Sequence, residues 1–181
     1  MSSSGDHEKS AKNRVTEKAG LAVLLADAKG RFQAPDTATK KELLKHLGLK
    51  DETANYGAQS FDAVYSDKPV PALTPENVAR YADRLHIVEM KTTKKPIPDS
   101  SLAGFFFGAT EREYKLAAKL GDRFRFAFVV LNDDNALGRP FAVLLTHEEL
   151  EARTQTKRVQ FQVNLKSRKA GAKASPRDFV V

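Results

Sequence analysis

Leu85-His86-Ile87-Val88-Glu89-Met90-Lys91-Thr92-Thr93-Lys94-Lys95 is the segment that decides the fold, because it begins with apolar residues and ends in charge. Its apolar and β-branched residues favour a buried strand. Side chains two apart in a strand share a face, so Glu89 and Lys91 project side by side. Burying a carboxylate and an ammonium group is costly unless both have partners. The segment therefore predicts a strand that ends in a site, where the partner is a metal ion, a second carboxylate or a phosphate.

Two other acid-x-Lys triplets, Asp27-Ala28-Lys29 and Glu113-Tyr114-Lys115, lie in segments with helical patterns. On a helix, side chains two apart point to different sides, so neither triplet forms a convergent pair. A second carboxylate is available on another predicted strand, Ser60-Phe61-Asp62-Ala63-Val64-Tyr65. We therefore expect Asp62, Glu89 and Lys91 to meet at one site.

An acid on one strand followed by Glu-x-Lys on the next resembles the PD-(D/E)xK nuclease superfamily, which has the restriction-endonuclease-like fold. The residues that match are Asp62, Glu89 and Lys91, and Phe61 stands where the family usually has proline. The order of the later segments Thr110-Glu111-Arg112-Glu113 and Lys119-Leu120-Gly121-Asp122-Arg123-Phe124 resembles the Mrr-like branch. The resemblance spans residues 61–131, which is less than half of the chain.

The resemblance implies an α/β fold in which a mixed β-sheet is flanked by helices. It also implies a Mg²⁺-dependent endonuclease, for which Mn²⁺ can substitute. Asp62 and Glu89 would bind the metal, and Lys91 would assist the attacking water. Mg²⁺ is a hard cation that prefers carboxylate oxygens, in keeping with these roles.

The composition restricts the class of protein. The chain has 181 residues, of which 41% are hydrophobic, enough for a single domain with a core. No apolar run approaches the roughly 20 residues that span a bilayer, and the N-terminal residues lack the apolar segment of a secretion signal. The absence of cysteine excludes disulfides and thiolate zinc sites, and it is compatible with a cytoplasmic location.

The formal net charge of +7 favours a polyanionic partner. Charge alone is equally consistent with a basic protein that has no such partner. Charge and the acid-x-Lys pair together point to nucleic acid, with DNA expected first and RNA left open. A cutter of double strands would often act as a homodimer.

The pattern divides the chain into a disordered N-terminal tail at residues 1–14, one domain at 15–165 and a basic C-terminal tail at 166–181. The tail either binds phosphates or is simply solvated. Glycines and capping residues mark the ends of the predicted helices. Helices are predicted at residues 15–29, 39–47, 110–121 and 146–153, and strands at 123–131, 141–145 and 158–165.

Four further residues are candidates for the site. Glu17 matches an extra acid that several members of the resembled family carry on a first helix, although an acid in a first turn also favours the helix dipole. Glu113 is explained by a capping box with Thr110, and only the resemblance implies a second role near the site. Lys94 and Lys95 are the nearest candidates for contacts with backbone phosphates.

The run Phe105-Phe106-Phe107 allows two interpretations. Consecutive aromatic side chains can stack on bases. An apolar run without charge more often forms a buried strand, and we predict that structure here.

Two other functions fit the same residues. The chain could be a non-catalytic nucleic-acid-binding module on the same fold, because a fold does not determine an activity. It could also be a basic RNA- or ribosome-associated protein without a site, in which Glu89 and Lys91 form a simple ion pair.

Overall fold

The structure is a computed structural model that describes residues 4–27, 29–49 and 58–156. Within these residues, five α-helices surround one five-stranded mixed sheet, so the prediction of an α/β fold with a mixed sheet is confirmed. The strands are β1 (Phe32–Gln33), β2 (Ala63–Tyr65), β3 (His86–Thr93), β4 (Phe124–Val130) and β5 (Phe141–Leu145). The helices are α1 (Ser4–Leu25), α2 (Thr37–His46), α3 (Val78–Tyr81), α4 (Glu111–Leu120) and α5 (His147–Arg153).

β3 occupies the centre of the sheet, whose strand order is β1-β2-β3-β4-β5. It pairs antiparallel with β2 and parallel with β4, and the parallel register runs from Ile87 opposite Phe124 to Thr93 opposite Val130. The other neighbouring pairs are antiparallel. A central strand is covered on both faces, which explains why β3 is apolar until its charged end.

The two faces of the sheet pack against different helices. Leu24 of α1 covers one face, where it joins a cluster containing Ala63, Val88, Met90, Ala127 and Val129. The opposite face carries the larger core, to which helices α2 to α5 contribute. That core includes Leu43, Leu44, Val64, Val78, Ile87, Leu116, Phe124, Phe126, Phe128, Leu145 and Leu150. Because side chains alternate along a strand, Glu89 and Lys91 share the second face with Ile87.

The first helix differs from the prediction at both ends. It begins at Ser4 rather than Val15, so residues 4–14, predicted to be a tail, are the start of α1. The prediction followed the apolar pattern, which begins only near residue 15. Once that part of a helix is packed, the helix can extend toward the N-terminus through polar residues, because each added residue forms one more backbone hydrogen bond. It ends at Leu25 rather than Lys29, because Asp27 accepts hydrogen bonds from both the backbone and the guanidinium of Arg31.

Helix ends elsewhere follow their capping signals. Thr110 and Glu113 form the predicted capping box at the start of α4. Thr146 is the predicted N-cap of α5, where Glu149 completes a second capping box. The second helix starts at Thr37, slightly earlier than predicted, because Asp36 caps it through the backbone N–H of Thr39. The starts of these helices were therefore predicted well from capping residues, whose side chains form hydrogen bonds with the first turn.

The predicted strand at Phe105-Phe106-Phe107 is wrong. These residues lie in the irregular connection between β3 and α4. Phe105 and Phe107 pack against Phe128 at ring-centroid distances of 5.1 and 5.0 Å, whereas Phe106 is 78% exposed. β3 and β4 already pair with each other and with their outer neighbours, so no strand edge is open beside them. The aromatic run therefore packs onto a face of the sheet instead of extending it.

Several predictions lie outside the described residues. These are the edge strand at residues 158–165 and the basic tail at 166–181. No helix within the described ranges is long and apolar enough to cross a membrane.

Gly20 sets the distance between α1 and the sheet, so we expect Gly20→Ala to destabilise the protein. An added Cβ would clash with Thr92 Oγ1 and lie 3.0 Å from Thr92 Cγ2 and 3.1 Å from Met90 Sδ. Overpacking of this kind costs about 1–3 kcal/mol, against a gain of about 1 kcal/mol in helix propensity. Urea unfolding should therefore show a lower midpoint for Gly20→Ala.

Two further variants control this experiment. Combining Gly20→Ala with Thr92→Ala should recover stability, because the obstructing side chain is removed. Gly108→Ala should be nearly neutral, since a Cβ there meets nothing within 4 Å. A Gly20→Ala protein as stable as the wild type would show that α1 does not depend on this close approach.

Candidate functional site

β2 and β3 bring Asp62 and Glu89 to the same place. Because the strands are antiparallel, the start of β2 meets the second half of β3. Asp62 lies immediately before β2 rather than inside it, which corrects the prediction that it belongs to the strand. Its backbone N–H donates to the carbonyl of Val88 at 2.9 Å, and its carboxylate accepts from the backbone N–H of Met90 at 2.7 Å. The Asp62 carboxylate is therefore held against β3 beside Glu89.

Lys91 is held between two carboxylates. Its Nζ lies 2.9 Å from Glu89 Oε1 and 2.7 Å from Glu113 Oε2. Glu113 Oε2 also accepts from the backbone N–H of Thr110, so one oxygen caps α4 and binds Lys91. All three side chains are largely buried, with 11% to 16% of each exposed. The structure therefore places Glu113 at the same cluster as Glu89 and Lys91.

Burial shifts the pKa values of both acids near β3 upward. Burial raises the pKa of Glu89 to about 8, and the negative charge of Asp62 adds to the shift while Lys91 opposes it. Burial also raises the pKa of Asp62, despite the hydrogen bond from Met90 and the charge of Lys40. Asp62 precedes Ala63, which lies opposite Val88, so the antiparallel register brings Asp62 next to Glu89. A cation between them would relieve both shifts.

Burial would by itself lower the pKa of the Lys91 ammonium group. The charges and hydrogen bonds of Glu89 and Glu113 outweigh burial, so the pKa is raised. Lys91 therefore remains charged across the physiological range and is oriented by its two partners.

Lys40 is a site residue that the sequence interpretation missed. Its Nζ donates to the carbonyl oxygens of Phe61 and Asp62 at 2.8 and 3.1 Å, and it lies 4.9 Å from the centre of the Phe61 ring. Burial lowers its pKa, although the charges of Asp62 and Glu89 oppose the change. Its position in the sequence could have indicated this role. Lys40 precedes Leu43 by three residues and Leu44 by four, so it lies on the buried face of α2.

The donors fit a hard divalent cation. If all are ionised, Asp62, Glu89 and Glu113 carry three negative charges against the two positive charges of Lys40 and Lys91. Within the described part of the chain, no side chain hydrogen-bonds to Asp62 Oδ1 or Glu89 Oε2. Mg²⁺ is usually bound by one or two carboxylates together with water and substrate phosphates. Asp62 and Glu89 supply such a pair.

In residues 4–27, 29–49 and 58–156, no group of three or more Asp, Glu and His side chains is arranged to hold a metal ion. Glu17 is exposed and lines a cleft of about 380 Å³ between α1 and α2. The cleft reaches Asp62 and Lys40, but Glu89 and Lys91 do not line it, so Glu17 shares this cleft with Asp62 alone among the three predicted site residues. Other residues that line it are Arg14, Val15, Lys18, Leu21 and Met90.

Lys94 and Lys95 follow the end of β3 and are exposed. The backbone of each is fixed, because Lys94 O accepts from Asn132 and Lys95 N–H donates to the hydroxyl of Thr93. Their side chains thus remain at the surface a few residues beyond Lys91, where a phosphate contact is still a prediction.

The chain was compared with models of known protein families, with curated proteins and with solved structures, and no comparison found a match. The geometry of the site is therefore what bears on its function.

Proposed function

We propose that the protein is a Mg²⁺-dependent endonuclease of the restriction-endonuclease-like, PD-(D/E)xK type, acting on DNA. The observation that carries the proposal is the half-buried Asp62 beside the buried Glu89, both with raised pKa values, next to a charged Lys91. Perturbed acids that converge next to a lysine are typical of catalytic sites. The net charge of +7 supports a polyanionic substrate.

The metal would be held by Asp62 and Glu89, and when bound it would lower the pKa of a water molecule and neutralise charge on the phosphate. Lys91 has a fixed position because Glu89 and Glu113 both bind it. Its ammonium group can orient the attacking water or stabilise the negative charge that develops on the phosphate. Lys40 holds the backbone on which Asp62 lies, through the carbonyls of residues 61 and 62.

The direct test is cleavage of supercoiled plasmid DNA by the purified protein. We expect nicked or linear product with Mg²⁺ or Mn²⁺ and none with EDTA. The same assay on a single-stranded RNA would show whether the substrate is DNA. If neither metal supports cleavage of any nucleic acid, the proposal is wrong.

One observation favours a non-catalytic binding module instead. Lys91 already has two carboxylate partners at 2.9 and 2.7 Å, as a buried structural ion triad would. In that case Glu89 and Glu113 compensate Lys91, and no metal is needed. The two functions differ in one measurement: a module binds nucleic acid equally well with and without Mg²⁺ and never cleaves it.

A further inference from the structure

We infer that Phe106 stacks on an unpaired nucleobase next to the site, so that the substrate strand is read in single-stranded form near the cleaved phosphate. This inference rests on the proposed function and deepens it. It is based on the connection between β3 and α4, here called the aromatic loop (residues 94–110).

Phe106 lies between two packed residues while its own ring faces solvent. Its two neighbours, Phe105 and Phe107, both pack edge-on against Phe128, at 5.1 and 5.0 Å, and 6.5 Å from each other. The ring between them is 78% exposed, the largest exposure among the exposed large apolar side chains of the described chain. The packing of Phe105 and Phe107 holds the backbone on both sides of Phe106 and leaves its ring exposed. The backbone therefore loses little conformational entropy when the ring binds a ligand.

The backbone of the aromatic loop has an unusual conformation that supports this presentation. Leu102 has a φ of 63°, and it is the only non-glycine residue with positive φ in the described chain. For a bulky residue this conformation is costly, and such strain occurs mostly at functional sites. The turn is closed by a hydrogen bond from the Phe105 N–H to the Leu102 carbonyl at 3.0 Å. The leucine side chain packs into the core, which holds the turn in place.

The ends of the aromatic loop lie at the site. The loop begins three residues after Lys91 and ends three residues before Glu113, and these two side chains are joined by the 2.7 Å ion pair. Phe128, which anchors the aromatic rings, is the direct neighbour of Lys91 in the parallel register. Strands lie about 4.8 Å apart, so the anchored rings are on the order of 10 Å from Lys91. This distance corresponds to about three nucleotides at 3.4 Å each along a strand.

An exposed phenylalanine recognises a nucleobase by its π-face, which every base has. The bases of an intact duplex are already stacked, so only an unpaired base can accept the ring. Lys94 and Lys95 at the start of the aromatic loop supply positive charge for the phosphates of the same strand. An aromatic ring beside basic residues is the arrangement typical of proteins that bind single strands.

The test uses the full-length protein in EDTA, so that binding is measured without cleavage. The probe is a single-stranded DNA oligonucleotide carrying 2-aminopurine, whose fluorescence decreases when it stacks on an aromatic ring. We expect wild-type protein to quench the probe, and Phe106→Ala to lose the quenching and about 5- to 100-fold in affinity. Phe106→Tyr should retain both.

Leu137→Ala is the matched control, because Leu137 is also an exposed apolar side chain, at 54%, outside the aromatic loop. It should bind and quench as the wild type does. Equal melting temperatures for the variants would exclude an effect on folding. Unchanged quenching in Phe106→Ala, or no quenching by the wild type, would overturn the inference.

The two proposals fail separately. If plasmid is cleaved with Mg²⁺ but Phe106→Ala binds and quenches normally, only the stacking inference is wrong. If Phe106 quenches the probe but no metal supports cleavage, only the nuclease proposal is wrong.

Discussion

Replacing Glu89 with glutamine is expected to lower Mg²⁺-dependent cleavage by at least about 100-fold, because changes to residues that merely orient a metal ligand already cost 10- to 100-fold. The substitution keeps the shape of the side chain and its ability to accept a hydrogen bond from Lys91. It also removes the repulsion between Glu89 and Asp62. Folding should therefore be retained, and binding to DNA should be unchanged or tighter, since a negative charge near the phosphate is gone.

Two variants make this result specific. Glu111→Gln removes an acid that is 81% exposed and paired with Lys115, and it should cleave normally. Lys91→Ala should also suppress cleavage, but it should not tighten binding because it removes a positive charge. The plasmid assay and a filter-binding assay measure the two effects. A Glu89→Gln protein that cleaves as fast as the wild type would put the metal site elsewhere.

The second large effect concerns stability and pH. Without divalent ions, the wild type should lose stability relative to Glu89→Gln as the pH rises from about 5 to about 8.5. The folded-state pKa of Glu89 is about 8, above its ordinary value of 4.5. Between these values the folded protein holds a proton that the unfolded chain releases, so the free energy of unfolding falls as the pH rises. Below pH 4.5 both states are protonated and the penalty is absent.

The expected size of this effect is a few kcal/mol, because each unit of pKa shift corresponds to about 1.36 kcal/mol. Urea unfolding of both proteins near pH 5.5 and near pH 8.5, in EDTA, measures it. The comparison with Glu89→Gln is needed because His86 also titrates. Burial lowers the pKa of His86, so its contribution to the free energy of unfolding increases as the pH rises, whereas that of Glu89 decreases. Lys91 has a raised pKa and so stays protonated in both states across this window. Burial lowers the pKa of Lys40, which both proteins retain, so the comparison with Glu89→Gln also limits its contribution.

Adding Mg²⁺ near pH 8.5 should stabilise the wild type and leave Glu89→Gln almost unchanged, since a ligand that binds only the folded state adds stability. A difference between the two proteins that stays constant across the pH range would contradict the raised pKa. Equal stabilisation of both by Mg²⁺ would contradict the role of Glu89 as a ligand.

The sequence predicted the strands of the sheet best where alternation and apolar runs were strong. β3 and β4 occur as expected, because buried central strands consist of apolar residues whatever their order in the sheet. The start of α1 and the structure of residues 105–107 were predicted wrongly. In the first case a polar composition predicted a tail, and in the second an apolar run predicted a strand. The structure of both segments depends on neighbouring elements, which a short window of sequence does not show.

The site was predictable in part. Glu89 and Lys91 came from strand periodicity. The capping box predicted only the role of Glu113 at the start of α4, and its contact with the site was implied by the resemblance alone. Lys40 was missed because its contacts are with the carbonyls of residues 61 and 62, and no motif encodes a lysine that binds a backbone 21 residues away. Its place within the apolar stripe of α2 was the only available sign.

The most direct test of the metal site is a crystal of the protein soaked with Mn²⁺, in which anomalous scattering locates the ion. The account predicts a single strong peak bound by both the Asp62 and Glu89 carboxylates, about 2.1–2.3 Å from their oxygens, with Lys91 still at the site. No peak at these two residues under conditions that support cleavage, or a peak bound by other residues, would contradict it.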